Sequence, residues 1–289
     1  MKFKALIFAS MVALAVEGCA GETSRSVVTL GVGGKSVTAS NNYVAKSFSV
    51  GKFDKIRAGG VVSVVYTQKD GPQKVEVFTS DNLMQYVDVS VDGGTLTVGL
   101  NYNGSIKSLD KFEVRVSSPS LAGVDLGGAA KFKAAGGVTA GSLGVSLSGA
   151  SSFTGGNLSC ADLTADVSGA GRLSVGNLKA RSASFGLSGA GKMDVNEQVE
   201  NSSLRLSGAS KAVVSGTAVD AVYSTSGAAS IEAEECVARH VSASVSGGSK
   251  VKCHAAATLK AERSGAASIS YKGNPKLIDV PSPDWLRKL

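Results

Sequence analysis

From residue 127 onwards the tripeptide Ser-Gly-Ala recurs at intervals of about twenty residues, with Gly127 in place of the serine in one copy and Gly248 in place of the alanine in another. With its glycine taken as the origin, successive copies lie 21, 20, 20, 19, 19, 20 and 18 residues apart. The eight origins are Gly128, Gly149, Gly169, Gly189, Gly208, Gly227, Gly247 and Gly265. A fixed period of this length is typical of repeat proteins, in which each unit stacks on its neighbours.

Apolar and polar residues alternate on both sides of each origin. The residue four positions after the glycine is always apolar, and the residue before that one is always polar. The apolar set is Phe132, Phe153, Leu173, Met193, Ala212, Ile231, Val251 and Ile269. A period of two is typical of β-strands, since successive side chains point to opposite faces.

These patterns predict an all-β, single-stranded β-helix, or solenoid, with about eight coils of roughly 20 residues. We expect each coil to contain two strands and two corners, which gives a thin, two-layered cross-section. The eight origin glycines are predicted to be structural turn residues, because a corner needs backbone angles that a Cβ atom would disfavour. Turn residues such as Gly176-Asn177 and Asn196-Glu197 mark the second corners.

The first residues predict export. Lys2 and Lys4 precede the apolar run Ala5 to Val16, which fits the core of a signal peptide over 1–18. Cys19 follows a small residue, as at a bacterial lipoprotein processing site, so we expect lipid attachment at Cys19 and contact with the membrane through that lipid. Plain secretion is the alternative. The expected location is the cell envelope, as an outer-membrane lipoprotein that faces the surface or the periplasm.

The remaining chain divides by composition and pattern. We expect a flexible, lipid-attached tether over 19–45, rich in Ser, Gly, Thr and Asn, and a solenoid domain over 46–289. Within this domain, 46–119 holds less regular strands, 120–271 the repeat coils and 272–289 a C-terminal cap. Asp92-Gly93-Gly94, between two alternating runs, predicts a hairpin turn.

Candidate catalytic and metal-binding residues are few. The histidines, His240 and His254, have no recognised metal-ligand spacing with Cys236 or Cys253. We therefore expect no metal and no cofactor, and we expect the cysteines to be unpaired thiols. A polysaccharide lyase or hydrolase is the enzyme alternative. It would need two carboxylates in one cleft, whereas Asp125 and Asp166 fall two coils apart.

One polar column is rich in basic residues and is the candidate binding site. It lies three residues after the origin and contains Lys131, Arg172, Lys192, Lys211 and Lys250. One interpretation is that these side chains keep a flat β-surface soluble. The other is that they bind an anionic glycan or lipid surface. The net charge of +7 is only mildly basic, and we expect no nucleic-acid partner.

The segment Phe53 to Ile56, the valine-rich strands after it and the serial Ser-Gly-Ala corners resemble the GIN-domain family, the auto-transporter adhesin heads of Bacteroidetes. The resemblance covers about Phe53 to Tyr271. It implies a β-helix similar in shape to pectin lyases but without their catalytic residues, and a role in adhesion. We therefore expect a non-catalytic surface that binds host or envelope glycans or proteins. A periplasmic lipoprotein that scaffolds envelope proteins is the alternative, and oligomerisation stays open.

Overall fold

The structure is a computed structural model that describes residues 27–29, 35–281 and 283–289. The predicted signal peptide, Cys19 and most of the predicted tether lie outside the described residues. The strands before the repeat are β1 (Val27–Thr29), β2 (Ser36–Thr38), β3 (Tyr43–Phe48), β4 (Lys55–Ala58), β5 (Ser63–Gln68), β6 (Lys74–Ser80), β7 (Val87–Asp92), β8 (Thr95–Leu100), β9 (Ser105–Lys107) and β10 (Phe112–Ser118). A 3-10 helix spans Asp81–Tyr86.

The repeat forms the predicted solenoid. Its strands are β11 (Gly123–Leu126), β12 (Lys131–Ala134), β13 (Val138–Leu147), β14 (Ser152–Val167), β15 (Arg172–Leu187), β16 (Lys192–Leu206), β17 (Lys211–Thr225), β18 (Ser230–Val245), β19 (Lys250–Arg263) and β20 (Ser268–Lys272). Each long strand pairs in parallel with the next, so that Phe153 lies beside Leu173 and Leu173 beside Met193. The predicted stacking of equivalent residues is therefore confirmed.

The predicted two-strand, two-layered coil is wrong. Each long coil is one continuous strand of 14 to 16 residues, broken only at the Ser-Gly-Ala corner. In β14 the buried alternation changes phase twice, once at Gly156-Asn157 and again near Ala161-Asp162. The pairing with β15 skips one residue at each phase change, Gly156 and Ala161, and resumes in the same register beyond it. A coil therefore has three short faces rather than two, which makes room for a wider core.

Stacked apolar side chains fill the interior. The rings of Phe132 and Phe153 lie 5.1 Å apart and almost parallel, and the ring of Tyr66, from the neighbouring inward column, stacks on Phe132 at 5.8 Å. Phe185 and Tyr223 are buried in a second column. Because the ladder fixes the register along the axis, each column packs like on like, and burial of these side chains provides the main stabilisation.

The solenoid begins earlier than the sequence predicted. Strand β4 pairs in parallel with β11, and β5 pairs in parallel with β12. Between them Gly60 has a φ of 71°, and its carbonyl oxygen accepts a hydrogen bond from the Ala129 N–H. Gly59-Gly60-Val61 is therefore a ninth corner without the Ser-Gly-Ala sequence, and the regular coils start within 46–119 rather than at 120.

The N-terminal strands cover the first coil. Strands β3, β6 and β10 form an antiparallel sheet, and β10 also pairs with β5. The predicted hairpin is present, since β7 and β8 are antiparallel about Gly93 and Gly94, both with positive φ. The flexible tether does not extend to residue 45 as predicted. Strand β2 pairs with β9, and Tyr43 at the start of β3 pairs with Ser80.

The C-terminal segment adds short strands to the last coil. Strand β21 (Leu277–Asp279) pairs with β19, and β22 (Leu286–Lys288) follows a 3-10 helix at Pro283–Trp285 and pairs with β20. The Arg263 guanidinium lies 5.1 Å from the centre of the Trp285 ring. Across the described ranges, no helix has the length and apolar character needed to cross a bilayer.

Candidate functional site

The five basic residues of the candidate column lie in one row on the first face after the Ser-Gly-Ala corner. In the ladder Lys131 pairs with Ser152, and this row continues through the next coils. The full row is Lys131, Ser152, Arg172, Lys192, Lys211, Ser230, Lys250 and Ser268. All five basic side chains are exposed. Neighbouring rungs of a sheet are about 4.8 Å apart, so Arg172, Lys192 and Lys211 form a compact cationic patch.

The neighbouring outward row carries charges of both signs. Two residues further along the strands it holds Asp194 and Glu232, and also Lys133 and Lys252. Glu232 accepts an ion pair from Lys211, with the Nζ–Oε1 distance at 2.8 Å. Within the described residues, Arg172 and Lys192 have no ion-pair partner. The strongest unneutralised positive charge on this row is therefore the pair at Arg172 and Lys192.

The eight origin glycines form a second row, at the corner itself. Their φ angles lie between 70° and 76°, in the left-handed region that favours glycine. A Cβ atom built on any of them would lie 2.6–3.1 Å from the carbonyl oxygen of the corner glycine one coil earlier. In the first seven corners the residue after the glycine donates its N–H to that same oxygen, as Ala170 does to Gly149 at 2.8 Å; this residue is alanine in six of them and Gly248 in the seventh. These glycines shape the backbone and contribute no side chain to the surface of the corner.

The serine hydroxyls of the corner also bond to the backbone. The Ser148 hydroxyl donates to the Leu126 carbonyl oxygen at 3.2 Å, and Ser168 makes the same contact with Leu147 one coil on. Both acceptors are the carbonyl oxygens of residues two before an origin glycine. The Ser-Gly-Ala motif thus provides hydrogen bonds to the backbone polar groups of a tight bend. Its repetition has a structural role, because each coil needs such a bend.

The carboxylates of the enzyme alternative lie on a different face. Asp125, Ser146 and Asp166 occupy successive rungs and line a shallow groove of about 300 Å³. The Arg57 Nε lies 2.8 Å from the Asp125 Oδ2, so one of the two acids is already ion-paired. Two rungs separate the acids by about 9.6 Å along the axis, wider than the spacing of about 5 Å in retaining glycosidases and at the upper limit of about 9.5 Å in inverting ones.

The histidines and cysteines do not converge on a metal site. The Nδ1 of His240 lies 2.8 Å from the Thr258 hydroxyl, whereas His254 pairs in the ladder with Val237. In the part of the chain that the structure describes, no three His, Cys, Asp or Glu side chains could hold a metal ion. Cys236 and Cys253 are buried free thiols, and Cys160 is a half-buried one.

The sequence patterns did not predict a cluster of polar side chains that is buried in the core. Glu197, expected at a corner, instead points into the core with no exposed surface, and the Cys236 thiol lies 3.8 Å from its Oε1. Ser202 and Tyr223 are also buried beside this pair. A signal was available, because the step from Gly189 to Gly208 is one residue short. The shorter coil shifts the register so that Glu197 falls opposite Leu178.

The comparisons with known proteins agree with this architecture. The family described as "Putative auto-transporter adhesin, head GIN domain" matches residues 52–176 and 173–275. No functionally curated protein matches the chain.

Three solved structures share the fold. A "putative adhesin" from Parabacteroides distasonis is 23% identical, with a TM-score of 0.66 over 88% of this chain and 100% of its own. A "putative adhesin" from Parabacteroides merdae is 22% identical, with a TM-score of 0.67 over 89% of this chain and 100% of its own. A "putative lipid binding protein" from P. distasonis is 20% identical, with a TM-score of 0.65 over 88% and 100%. Since the family match covers most of the solenoid and its N-terminal strands, the chain belongs to the GIN-domain family of auto-transporter adhesin heads.

Proposed function

We propose that this protein is a non-catalytic lipoprotein of the cell envelope that presents the solenoid as a surface for adhesion. In this proposal the lipid on Cys19 anchors the chain in the outer membrane, and the basic row from Lys131 to Lys250 binds anionic glycans. The observation that carries the proposal is the alignment of five exposed cations along one face. Membership of an adhesin-head family supports the same conclusion.

Charge repetition is what makes this row suited to a polyanion. Like charges on adjacent rungs repel one another, so the row is mildly unfavourable for the free protein. A linear glycan with carboxylate or sulfate groups would relieve that repulsion along its length. Because Arg172 and Lys192 have no acidic partner within the described residues, both remain available to such a ligand.

The test replaces Arg172, Lys192 and Lys211 with serine in one variant. We expect at least about a tenfold loss of affinity for heparin at low salt, because exposed charge interactions weaken when charges are removed or screened. The midpoint of thermal unfolding should change by no more than a few degrees, since exposed ion pairs contribute little stability.

The matched control replaces Lys179, Arg239 and Lys276 with serine. These exposed residues lie outside the row, and their replacement removes the same net charge. Equal losses of affinity in the two variants would show that heparin binding depends only on overall charge. Unchanged affinity in the row variant would reject the row as a binding site. Surface plasmon resonance with immobilised heparin measures both variants.

The second candidate is a periplasmic lipoprotein that scaffolds other envelope proteins. Exposed valines favour it, because Val219, Val222 and Val237 show 41%, 44% and 40% of their surface on adjacent coils. Such side chains fit a protein partner better than a glycan. Protease treatment of intact cells separates the candidates: cleavage indicates a surface adhesin, and protection until the outer membrane is permeabilised indicates a periplasmic scaffold.

A catalytic role has the least support. A β-helix lyase or hydrolase would use the groove at Asp125 and Asp166, where Arg57 already engages one acid. The similar solved structures are named as adhesins and as a lipid-binding protein, without an enzyme activity.

A further inference from the structure

The interior of the solenoid contains a polar cluster that adhesion does not explain. Glu197, Ser202, Tyr223 and Cys236 are each no more than 2% exposed. The positions equivalent to Glu197 in the two preceding coils are Leu158 and Leu178. A carboxyl group therefore stands where the earlier coils place an apolar side chain, and its ionised form would be costly there.

The backbone brings this carboxyl group to a thiol two coils away. In the ladder Glu197 pairs with Gly216, and Gly216 pairs with Cys236. Gly216 has a φ of 106°, and a Cβ atom there would lie 2.0 Å from the Glu197 carbonyl oxygen. Because glycine leaves this position empty, the side chains above and below it meet, with Cys236 Sγ 3.8 Å from Glu197 Oε1.

The cluster is only partly hydrogen-bonded. Among the described residues, Glu197 Oε2, Ser202 Oγ and Tyr223 OH are buried without a hydrogen-bond partner. Burial raises the pKa of Glu197 to about 7, an effect that the neighbouring Ser202 hydroxyl and Cys236 thiol reduce. Burial is also the main reason why the pKa of Cys236 rises to about 12 and that of Tyr223 rises well above its usual value.

Among the residues that the structure describes, none supplies a positive charge to an ionised Glu197. The titratable groups that face it are Cys236 on β18 and Tyr223 on β17, with Cys253 on β19 beyond the tyrosine. All three are neutral at neutral pH and would become negative if they ionised. An ionised Glu197 would therefore be stabilised by hydration and not by a nearby cation.

A weak point in the ladder lies next to the cluster. Coil β18 has three residues, Glu234, Glu235 and Cys236, without counterparts in β19, because the register jumps between Ala233 and Val237. This corner lacks the parallel pairing to β19 that holds the rest of β18 in place. Ion pairs with Lys252 and Lys272 hold Glu234 and Glu235 there instead, so an opening of this corner towards Glu197 breaks no ladder pairing with β19.

We propose that Glu197 is an internal proton-binding site that couples the surrounding pH to local opening of the solenoid at β16–β18. With the proton bound, the carboxyl group is neutral and the coils stay closed. When the proton passes to solvent, the buried carboxylate has no counter-ion, and the corner at Glu234–Cys236 opens to hydrate it. The solenoid would thus be more tightly closed in an acidic medium than in an alkaline one.

Hydrogen–deuterium exchange followed by mass spectrometry tests this proposal. We compare peptides from 192–245 at about pH 5.5 and about pH 8.5 and correct for intrinsic exchange rates. A pKa of about 7 when closed and about 4.5 when open predicts that the opening equilibrium rises on the order of 30-fold between these conditions. Peptides from 152–187 serve as the internal control and should show no such rise.

The matched variant is Glu197→Gln, which keeps the shape and cannot ionise. Its peptides from 192–245 should show the same opening at both pH values after correction. The proposal is overturned if Glu197→Gln keeps the wild-type pH dependence, or if the wild-type region shows none. If the variant does not fold, carboxyl-carbon NMR of the wild-type protein decides: a glutamate that titrates near neutral pH supports the proposal, and titration of every glutamate near pH 4.5 overturns it.

Discussion

At the scale of single residues, the corner glycines determine how closely coils can stack. Each has φ near 72°, and each lies against the carbonyl oxygen of the preceding corner. A side chain at such a position meets two separate penalties, one from the left-handed backbone and one from the neighbouring coil. The same atoms form the hydrogen bond from alanine to the preceding glycine, so any shift that relieves the contact also stretches this bond.

The variant Gly169→Ala should lower the free energy of unfolding by about 2 kcal/mol or more, because a Cβ atom would lie 2.6 Å from the Gly149 carbonyl oxygen. Gly156→Ala is the matched control. A Cβ atom there meets nothing within 4 Å, and its φ is not positive. Its stability should stay within about 0.5 kcal/mol of wild type. Denaturant unfolding measures both, and equal losses would contradict a special role for the corner.

The residue columns could be predicted from the sequence wherever the coil length is constant. Phe153, Leu173 and Met193 stack as expected because twenty residues separate their origins. The prediction failed at Glu197, where one missing residue moves a polar side chain from a corner into the core. A periodic pattern predicts which residues face the core only while the coil length is constant. A single deletion exchanges the inward and outward orientation expected for every residue up to the next corner.

At the scale of elements, the coil is a unit with three faces. The two bends inside β14 fall at Gly156-Asn157 and near Ala161-Asp162. Glycine, alanine and short polar residues fit either face of a strand, so the apolar pattern there does not reveal the change of phase. For this reason the sequence predicted one inner corner where the structure has two. The Ser-Gly-Ala corner could be predicted from the sequence because its glycine is required in every coil.

Deletion of one complete coil, residues 170–189, should leave a folded protein. The cut joins Gly169 to Ala190, which restores the corner and places Phe153 beside Met193. Because repeat proteins are stabilised by nearest-neighbour contacts, one cooperative unfolding transition should remain, a few degrees lower in midpoint. Deletion of half a coil, residues 170–179, is the control. It disrupts every downstream pairing with β14, so a stable product from this half deletion would contradict a three-faced repeating unit. Circular dichroism on heating measures both.

At the scale of the whole molecule, the two ends of the stack are closed in different ways. The first coil is covered by the antiparallel strands β3, β6 and β10 and by the β7–β8 hairpin. Among the described residues, the last coil is covered by two three-residue strands, β21 and β22, and by the contact of Arg263 with Trp285. Leu277 is 59% exposed there. The C-terminal end is therefore the thinner cover over an open row of backbone groups.

Truncation after Lys272 should cause self-association through this end. It removes β21 and β22 and leaves the edges of β19 and β20 without their described partners. Unpaired edges of parallel strands recruit further strands, so the apparent mass should rise with concentration. Light scattering at matched concentrations compares the truncated and the full chain. The double variant Leu277→Ser, Leu289→Ser keeps both strands and should behave as the full chain does. An unchanged mass after truncation would show that the end needs no cover.

The ladder hydrogen bonds that join the coils all run roughly parallel to the long axis of the stack. If a surface lipid holds one end of the chain while a ligand pulls the other, that tension acts along these bonds. Coils can then detach one at a time from the pulled end, each releasing about twenty residues of extended chain before the next coil detaches. A molecule built this way can respond to a sudden force by extending in steps, while the remaining coils stay folded.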